Sequence, residues 1–291
     1  MSSLKAVDTY TFNMVQDLNP RGAKPTIVIV PGSFSPAYFY DAVVDKLREG
    51  GFETIVGNLP SASRSPPEPA ATMADDAAFF HDIVEKVADQ GKDVVLVTHS
   101  YGGVVGTEAS KDLSKSERKE AGKEGGLVRL VYLTSVVPTP ENSLADLMGT
   151  LLPTYLKVDV SRKLAILNWS NLTLKQGDYM RHEPFEESAR LTFSDLPLEE
   201  GIEWVKKMPL HSAPSFQGKL TYPGYRYVPV SWIFCENDLI LPPDFQRQCI
   251  EMIEKESGNK VDVHSIKTDH VPNASAPEET AMAIMDAVKA A

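Results

Sequence analysis

Short runs of apolar, largely β-branched residues recur along the chain without alternating polar positions, and each stops abruptly. The first, Thr26 to Val30, ends at Pro31-Gly32. The same pattern returns at Val94 to Val97, Leu127 to Leu133 and Val228 to Phe234. A strand without alternation is covered on both faces, as in a parallel sheet whose faces carry helices. These runs therefore predict a fold of the α/β class.

Segments with helical spacing separate these strands. Apolar residues recur from Tyr38 to Leu47 before Gly50-Gly51, and a short strand follows at Thr54 to Val56. Further helices are predicted over Thr72 to Ala88, Phe245 to Ile253 and Ala276 to Val288, with a last strand at Val261 to Ile266. Alternating strands and helices joined by right-handed crossovers predict a doubly wound, mostly parallel sheet with helices on both faces.

The regular alternation stops in the middle of the chain. Residues 138–223 hold short amphipathic pieces, several prolines and no obvious strand. With 291 residues, the chain is long enough for one large α/β domain that carries an inserted subdomain. We therefore predict a core made of residues 1–137 and 224–291, and a mainly helical cap over residues 138–223.

Charge and composition exclude several classes of protein. The 40 acidic residues outnumber the 29 basic ones, and no basic stripe could follow a phosphate backbone. No apolar run reaches the roughly 18 residues of a membrane-spanning helix, and the polar start, Met1 to Pro20, has no signal-peptide pattern. Cys235 and Cys249 are too few for a disulfide framework and suit reduced thiols. The sequence thus predicts a cytosolic protein without nucleic-acid or membrane partners, and leaves the oligomeric state open.

The end of the strand at Val94 to Val97 carries the pattern Thr98-His-Ser-Tyr-Gly-Gly. Ligands of an open parallel sheet bind beyond the carboxyl ends of the strands, so chemistry is expected there. A sharp turn between strand and helix lifts the hydroxyl of Ser100 above the sheet and needs small neighbours, here Gly102 and Gly103. Thr98 stands where the usual Gly-x-Ser-x-Gly pattern has its first glycine. A serine in this position could, taken alone, simply cap the helix.

Two later strand ends supply the partners that a serine nucleophile needs. His270 follows the last strand and can act as a general base, because imidazole titrates near neutrality. Asp238 follows the strand at Val228 to Phe234 and can orient the imidazole, with Glu236 in the same turn as its rival. Each residue alone would be common in a surface loop. In the order Ser, Asp, His, they predict nucleophilic catalysis through an acyl-enzyme.

The oxyanion of such a reaction needs preorganised hydrogen-bond donors. The amide of Tyr101, directly after the serine, is one candidate, and the amide of Ser33 in the first turn is the other. The other histidines show no metal-ligand spacing, so no metal and no cofactor are predicted. These histidines are His81, His99, His182, His211 and His264.

Taken together, several segments resemble the α/β-hydrolases related to plant methylesterases and hydroxynitrile lyases. They are Val30-Pro-Gly-Ser, Thr98-His-Ser-Tyr-Gly-Gly, Thr268-Asp-His and the stretch Phe234 to Gln248. The likeness covers nearly the whole chain and is weakest over residues 138–223. It implies an α/β-hydrolase fold, a catalytic triad and an oxyanion hole. By the resemblance, the triad is Ser100, Asp238 and His270, and the oxyanion amides are those of Ser33 and Tyr101.

The family contains both ester hydrolases and cyanohydrin lyases. Its lyases resemble one another in having a lysine directly after the catalytic histidine, where this chain has Val271. They also share a threonine in the first turn, where this chain has Gly32, as the family's esterases do. The resemblance therefore implies the esterase side, because no ammonium group is placed to stabilise departing cyanide. Pro31 and Thr98 depart from the family's usual histidine and glycine. Pro31 thus leaves the details of the oxyanion turn open.

Three functions are compatible with this pattern. A serine hydrolase that cleaves a carboxylic ester, lactone or thioester is the leading hypothesis. A lyase or cyclase that uses the same triad on C–C bonds is the second. A non-catalytic receptor for a small molecule on the same scaffold is the third.

The apolar and aromatic residues of the 138–223 segment are expected to select the substrate, because the segment would cover the strand ends. They indicate a small hydrophobic molecule. The residues predicted to contact it are Phe34, Met148, Leu152, Tyr155 and Trp169. The competing explanation is that these side chains of the segment only pack the cap onto the core.

Overall fold

The computed structural model describes residues 24–160, 163–165 and 178–289. The strands in chain order are β1 (Thr26–Val30), β2 (Thr54–Val56), β3 (Asp93–Ser100), β4 (Gly126–Ser135), β5 (Leu156–Val160), β6 (Lys163–Ala165), β7 (Tyr179–His182), β8 (His211–Ser212), β9 (Val230–Cys235) and β10 (Asp262–Ile266). The helices are α1 (Asp41–Glu49), α2 (Pro60–Ser63), α3 (Met73–Ala88), α4 (Gly102–Ala109), α5 (Lys115–Glu120), α6 (Leu144–Met148), α7 (Phe185–Thr192), α8 (Leu198–Lys206), α9 (Pro243–Ser257), α10 (Pro272–Ser275) and α11 (Pro277–Lys289). Short 3₁₀ turns lie at Ala37–Tyr40, Gly149–Leu151, Ala213–Gln217 and Gly224–Arg226.

The central sheet has the strand order β10-β9-β4-β3-β1-β2, and every neighbouring pair is parallel. Strand β1 shows why its sequence does not alternate. Ile27 and Ile29 share a buried cluster with residues of α1 and α11, whereas Val28 and Val30 share another with residues of α3, α4 and α9. Both faces of the strand are therefore covered by helices. The predicted α/β class and the parallel sheet with helices on both faces are confirmed.

Local side-chain chemistry fixes where the helices begin and end. Thr72 precedes α3 and forms a capping box, because its hydroxyl accepts from the Asp75 amide and the Asp75 carboxylate accepts from the Thr72 amide. Helix α9 ends at Gly258, whose φ of 71° lies in the left-handed region that glycine adopts without strain. No helix in the described ranges is both long enough and apolar enough to cross a membrane. Cys235 and Cys249 are both buried and unpaired.

The sequence pattern shows no obvious strand in the 138–223 segment, yet the segment contains a second sheet. Its antiparallel strands lie in the order β6-β5-β7-β8, beside helices α6 to α8. Strand β5 pairs with β7 in a register that sets Leu156 opposite His182. Strands of two to five residues leave too short an alternating pattern to recognise, and the partners are distant in the chain. The division into a core and a cap subdomain stays a prediction.

Candidate active site

Ser100 is the last residue of β3, and the chain turns there directly into α4. Its φ of 53° is uncommon for a residue with a side chain and marks a strained turn. The strand and helix backbones approach so closely that only glycine fits at the start of α4. A Cβ on Gly102 would lie 2.6 Å from the Pro31 carbonyl oxygen, and one on Gly103 would lie 2.6 Å from the Val136 carbonyl oxygen.

Thr98, which stands in place of the usual glycine, is accommodated by a glycine in helix α4. The Thr98 side chain is buried, and a Cβ on Gly106 would lie only 2.3 Å from its methyl group. Its hydroxyl lies 3.4 Å from the Ser135 hydroxyl oxygen. Gly106 in α4 therefore provides the space that a glycine at position 98 would otherwise leave.

The structure brings Ser100, His270 and Asp238 together. The Nε2 atom of His270 lies 2.9 Å from the Ser100 Oγ, and its Nδ1 lies 2.7 Å from the Asp238 Oδ2. An ionised carboxylate can only accept, so Nδ1 donates to Asp238 and Nε2 accepts the Ser100 hydroxyl. Glu236, the rival acid, is exposed and lies in a surface groove beside Arg247. Asp238 is thus the acid that contacts the imidazole.

Further hydrogen bonds fix the Asp238 carboxylate, which is only 1% exposed. Its Oδ1 accepts from the amides of Ile240 and Leu241 at 2.7 and 2.8 Å. Its Oδ2 accepts from the Thr134 hydroxyl at 2.5 Å, in addition to His270. A carboxylate with this many donors cannot rotate freely, so it holds the imidazole in one tautomer and one orientation.

The two residues predicted to supply oxyanion amides lie on either side of Ser100. Tyr101 follows it directly, and Ser33 lies in a turn so close that a Cβ on Gly32 would be 3.2 Å from the Ser100 Cβ. The Tyr101 side chain points away and donates to the buried Asp76 carboxylate at 2.6 Å. Burial raises the pKa of Asp76 to about 6. The role of the two amides stays a prediction.

A partly open cavity lies above Ser100. Four of the residues predicted to contact the substrate line it, namely Phe34, Met148, Leu152 and Tyr155. The fifth, Trp169, lies outside the described residues. Other lining residues are also apolar, among them Leu144, Leu156, Met208, Phe216 and Leu241. None of the described lining residues is an aspartate, glutamate, lysine or arginine.

The sequence profile described as the alpha/beta hydrolase family matches residues 27–283. The chain belongs to this family. It is 33% identical over 256 residues to the "Probable hydrolase R7" of a Phoma species, an alignment that covers 88% of this chain and 95% of that protein. The protein is therefore an α/β hydrolase, and so an enzyme.

Solved structures of the same fold cover nearly all of this hydrolase. A pyrethroid hydrolase from Sphingobium faniae JZ-2 is similar, with a TM-score of 0.66, 20% identity, and coverage of 91% of this chain and 98% of that chain. Polyneuridine aldehyde esterase is also similar, with a TM-score of 0.65, 19% identity, and coverage of 91% and 99% of the two chains. At these identities the likeness establishes the fold alone.

In this α/β hydrolase, hydrogen bonds join the first turn to the loop that carries His270. The His99 Nε2 lies 2.7 Å from the His270 carbonyl oxygen, which can only accept, so Nε2 donates. Burial lowers the pKa of His99 to about 3, so the ring is neutral and its Nδ1 accepts from the Tyr40 hydroxyl at 2.7 Å. The Gly32 amide donates to the Tyr40 oxygen at 3.0 Å. The first turn, which contains Ser33, is thus held in register with His270.

Tyr40→Phe is expected to lower the hydrolytic kcat/KM about tenfold and the unfolding free energy by about 2 kcal/mol, because two buried groups lose their partner. These groups are the Gly32 amide and the His99 Nδ1. The measurements are turnover of p-nitrophenyl butanoate and urea unfolding. Tyr38→Phe is the matched control, since Tyr38 lies in the same 3₁₀ turn and is 52% exposed. If the two variants behaved alike, the hydrogen-bonded chain would have no positioning role.

A second buried histidine holds the next part of the same turn. Phe34 has a φ of 57°, and its amide donates to the His211 Nδ1 at 3.4 Å. The Ser215 hydroxyl donates to the Ser212 carbonyl and therefore accepts from the His211 Nε2 at 3.0 Å. Burial lowers the pKa of His211 to about 3, so Nδ1 stays an acceptor. His211 is thus a positioning residue for the turn that contains Ser33.

The sequence patterns gave no role to Thr134, His99 or His211. Thr134 directly follows the run Leu127 to Leu133, so inspecting that strand end as well would have found it. His99 stands beside Ser100 in the inspected motif, but its partners Tyr40 and His270 are distant in sequence and cannot be read from it. His211 carries no such positional signal. The described residues contain no group of three or more His, Cys, Asp or Glu side chains that could hold a metal ion.

Proposed function

We propose that this protein is a serine hydrolase that cleaves a carboxylic ester, lactone or thioester of a small hydrophobic substrate through an acyl-enzyme on Ser100. The observation that carries the proposal is the unbroken hydrogen-bond chain from Ser100 through His270 to Asp238 at the floor of an apolar cavity. The likeness to the probable hydrolase of the Phoma species supports the same reaction class.

The proposed reaction has two halves. The Ser100 Oγ attacks the substrate carbonyl while the His270 Nε2 takes its proton, and the amides of Ser33 and Tyr101 stabilise the oxyanion. The C–O or C–S bond to the leaving group then breaks, and His270 returns the proton to that group. Water attacks the acyl-enzyme with His270 again as base, which releases the acid and restores the Ser100 hydroxyl. The Asp238 carboxylate accepts from the His270 Nδ1 and stabilises the imidazolium in both halves.

The residues around His270 favour hydrolysis over cyanohydrin cleavage. Val271, directly after His270, is buried and lines the cavity. The described lining residues include no lysine or arginine, so none of them offers a fixed cation to stabilise a departing anion such as cyanide. An uncharged, mostly apolar lining suits a neutral ester. We propose that the 138–223 segment, whose Met148, Leu152 and Tyr155 line the cavity, acts as the cap that selects the acyl and alcohol groups.

The test combines turnover with covalent labelling. Wild-type protein is expected to hydrolyse p-nitrophenyl butanoate at neutral pH and to gain the mass of one fluorophosphonate adduct, located on Ser100 by peptide mass spectrometry. Ser100→Ala should lose both. Wild-type protein that takes the label without turning over any p-nitrophenyl ester would move the assignment to a lyase or cyclase. Protein that takes no label would show that Ser100 is not an activated nucleophile and would overturn the proposal.

A further inference from the structure

One polar group in the cavity has no role in the reaction above. His182, at the end of β7 in the 138–223 segment, lines the cavity together with Ser100 and His270. Its ring lies edge-on to the Phe34 ring, with centroids 4.4 Å apart, and 5.1 Å from the Tyr155 ring. The residue is 7% exposed, and its Nε2 is buried without a hydrogen bond to any described residue.

The opposite ring nitrogen is fully engaged. The His182 Nδ1 lies 2.5 Å from the hydroxyl oxygen of Ser188, a fully buried residue of α7. Within the described part of the chain, Nδ1 is the only hydrogen-bond partner of this hydroxyl, whose hydrogen needs an acceptor. Ser188 therefore donates and Nδ1 accepts. Since a neutral imidazole carries one proton, that proton sits on Nε2.

The ring stays neutral at physiological pH. Burial, with a smaller contribution from His270, lowers the pKa of His182 to about 3. Among the described residues of the 138–223 segment that line the cavity, the other polar side chains are those of Tyr155 and Thr192. Their hydroxyl oxygens lie 2.9 Å apart and share a hydrogen bond. A buried N–H donor without a partner is costly to a folded protein. His182 lines the cavity, so a ligand bound there could supply the missing acceptor.

We propose that the His182 Nε2–H donates a hydrogen bond to a second oxygen of the substrate, so that the preferred substrates are hydrophobic esters bearing a keto, hydroxyl or ether oxygen besides the ester group. The identity of this substrate class rests on the proposed ester hydrolysis at Ser100. The hydrogen bond itself is a property of the cavity and is testable without turnover. The aromatic rings of Phe34 and Tyr155 keep the donor in a dry, oriented site, which increases the selectivity of such a contact.

The test measures binding in a Ser100→Ala background, so that hydrolysis plays no part. Calorimetry compares p-nitrophenyl hexanoate with its analogues carrying a keto oxygen on acyl carbon three, four or five. At least one keto analogue is expected to bind about tenfold more tightly than the hexanoate, since one well-placed hydrogen bond separates them. Adding His182→Phe, which keeps an aromatic ring but removes the donor, should bring the ratio of affinities close to one.

Ser188→Ala provides the second variant, because it leaves the imidazole in place and removes only the group that fixes its tautomer. It is expected to reduce the keto preference in part, and ¹⁵N spectra of histidine-labelled protein should show the His182 Nε2 proton weakened or exchanged to Nδ1. Equal binding of all four esters, or a keto preference that survives His182→Phe, would overturn the inference. Neither outcome depends on whether the wild type hydrolyses esters, so a failure of the proposed function remains separate.

Discussion

Asp238→Asn is expected to lower kcat for p-nitrophenyl butanoate by about 10³-fold to 10⁴-fold, while the protein stays folded. The carboxylate accepts from the His270 Nδ1 and from three further donors, those of Thr134, Ile240 and Leu241. An asparagine amide that presents its NH₂ to Nδ1 would force the imidazole proton onto Nε2. In that tautomer the ring cannot accept the Ser100 proton, so the nucleophile is no longer activated.

Glu236→Gln is the matched control, because Glu236 lies two residues away in the same turn and makes the same change from acid to amide. Glu236 is exposed and does not contact the imidazole, so the kcat of Glu236→Gln is expected to stay within about twofold of the wild-type value. Steady-state kinetics on both variants, with circular dichroism to check folding, decide between the two acids. A large loss confined to Glu236→Gln would assign the orienting role to Glu236 instead.

The central sheet was predictable because strands buried on both faces consist almost entirely of apolar residues. In strands such as β1, every side chain is buried, so polar positions disappear and the run is recognisable without any partner. The candidate site followed from the same feature, since residues just beyond parallel strands converge at one edge. Ser100, Asp238 and His270 each follow a predicted strand, and the structure brings their side chains within hydrogen-bond distance.

The parts that escaped prediction depend on contacts between distant segments. Strand β5 alternates apolar and polar residues over only five positions, unlike the continuous apolar run of β1, so it is recognisable only through its pairing with β7. His182 and His211 resemble surface histidines in sequence, yet both are buried against the first turn through Phe34. The tautomer of each is set by a serine that contacts it in space, Ser188 for one and Ser215 for the other. No spacing rule anticipates such partners.

The unfolding free energy of the protein is expected to fall by about 5 kcal/mol between pH 7 and pH 5. Burial lowers the pKa of His99, His182 and His211 from 6.5 to about 3 each. Below about pH 6.5 the unfolded chain binds protons on these rings that the folded state refuses, so stability is lost as the pH falls. Each ring contributes about 2 kcal/mol to the loss at pH 5.

Protonation of Asp76 stabilises the folded state as the pH falls, which is opposite to the effect of the three histidines. Asp76 therefore provides a control for the sign of the pH dependence. Burial raises its pKa from 3.8 to about 6, so the folded state binds a proton before the unfolded state does, and this offsets about 1 kcal/mol of the loss at pH 5. Asp76→Asn should therefore steepen the decline by about that amount, whereas His182→Phe should reduce it by about 2 kcal/mol. Urea unfolding at pH 7, 6 and 5 measures all three slopes. A stability that stayed flat over this range would mean that the buried rings accept protons in the folded state, and the neutral tautomers assigned to His99, His182 and His211 would then be wrong.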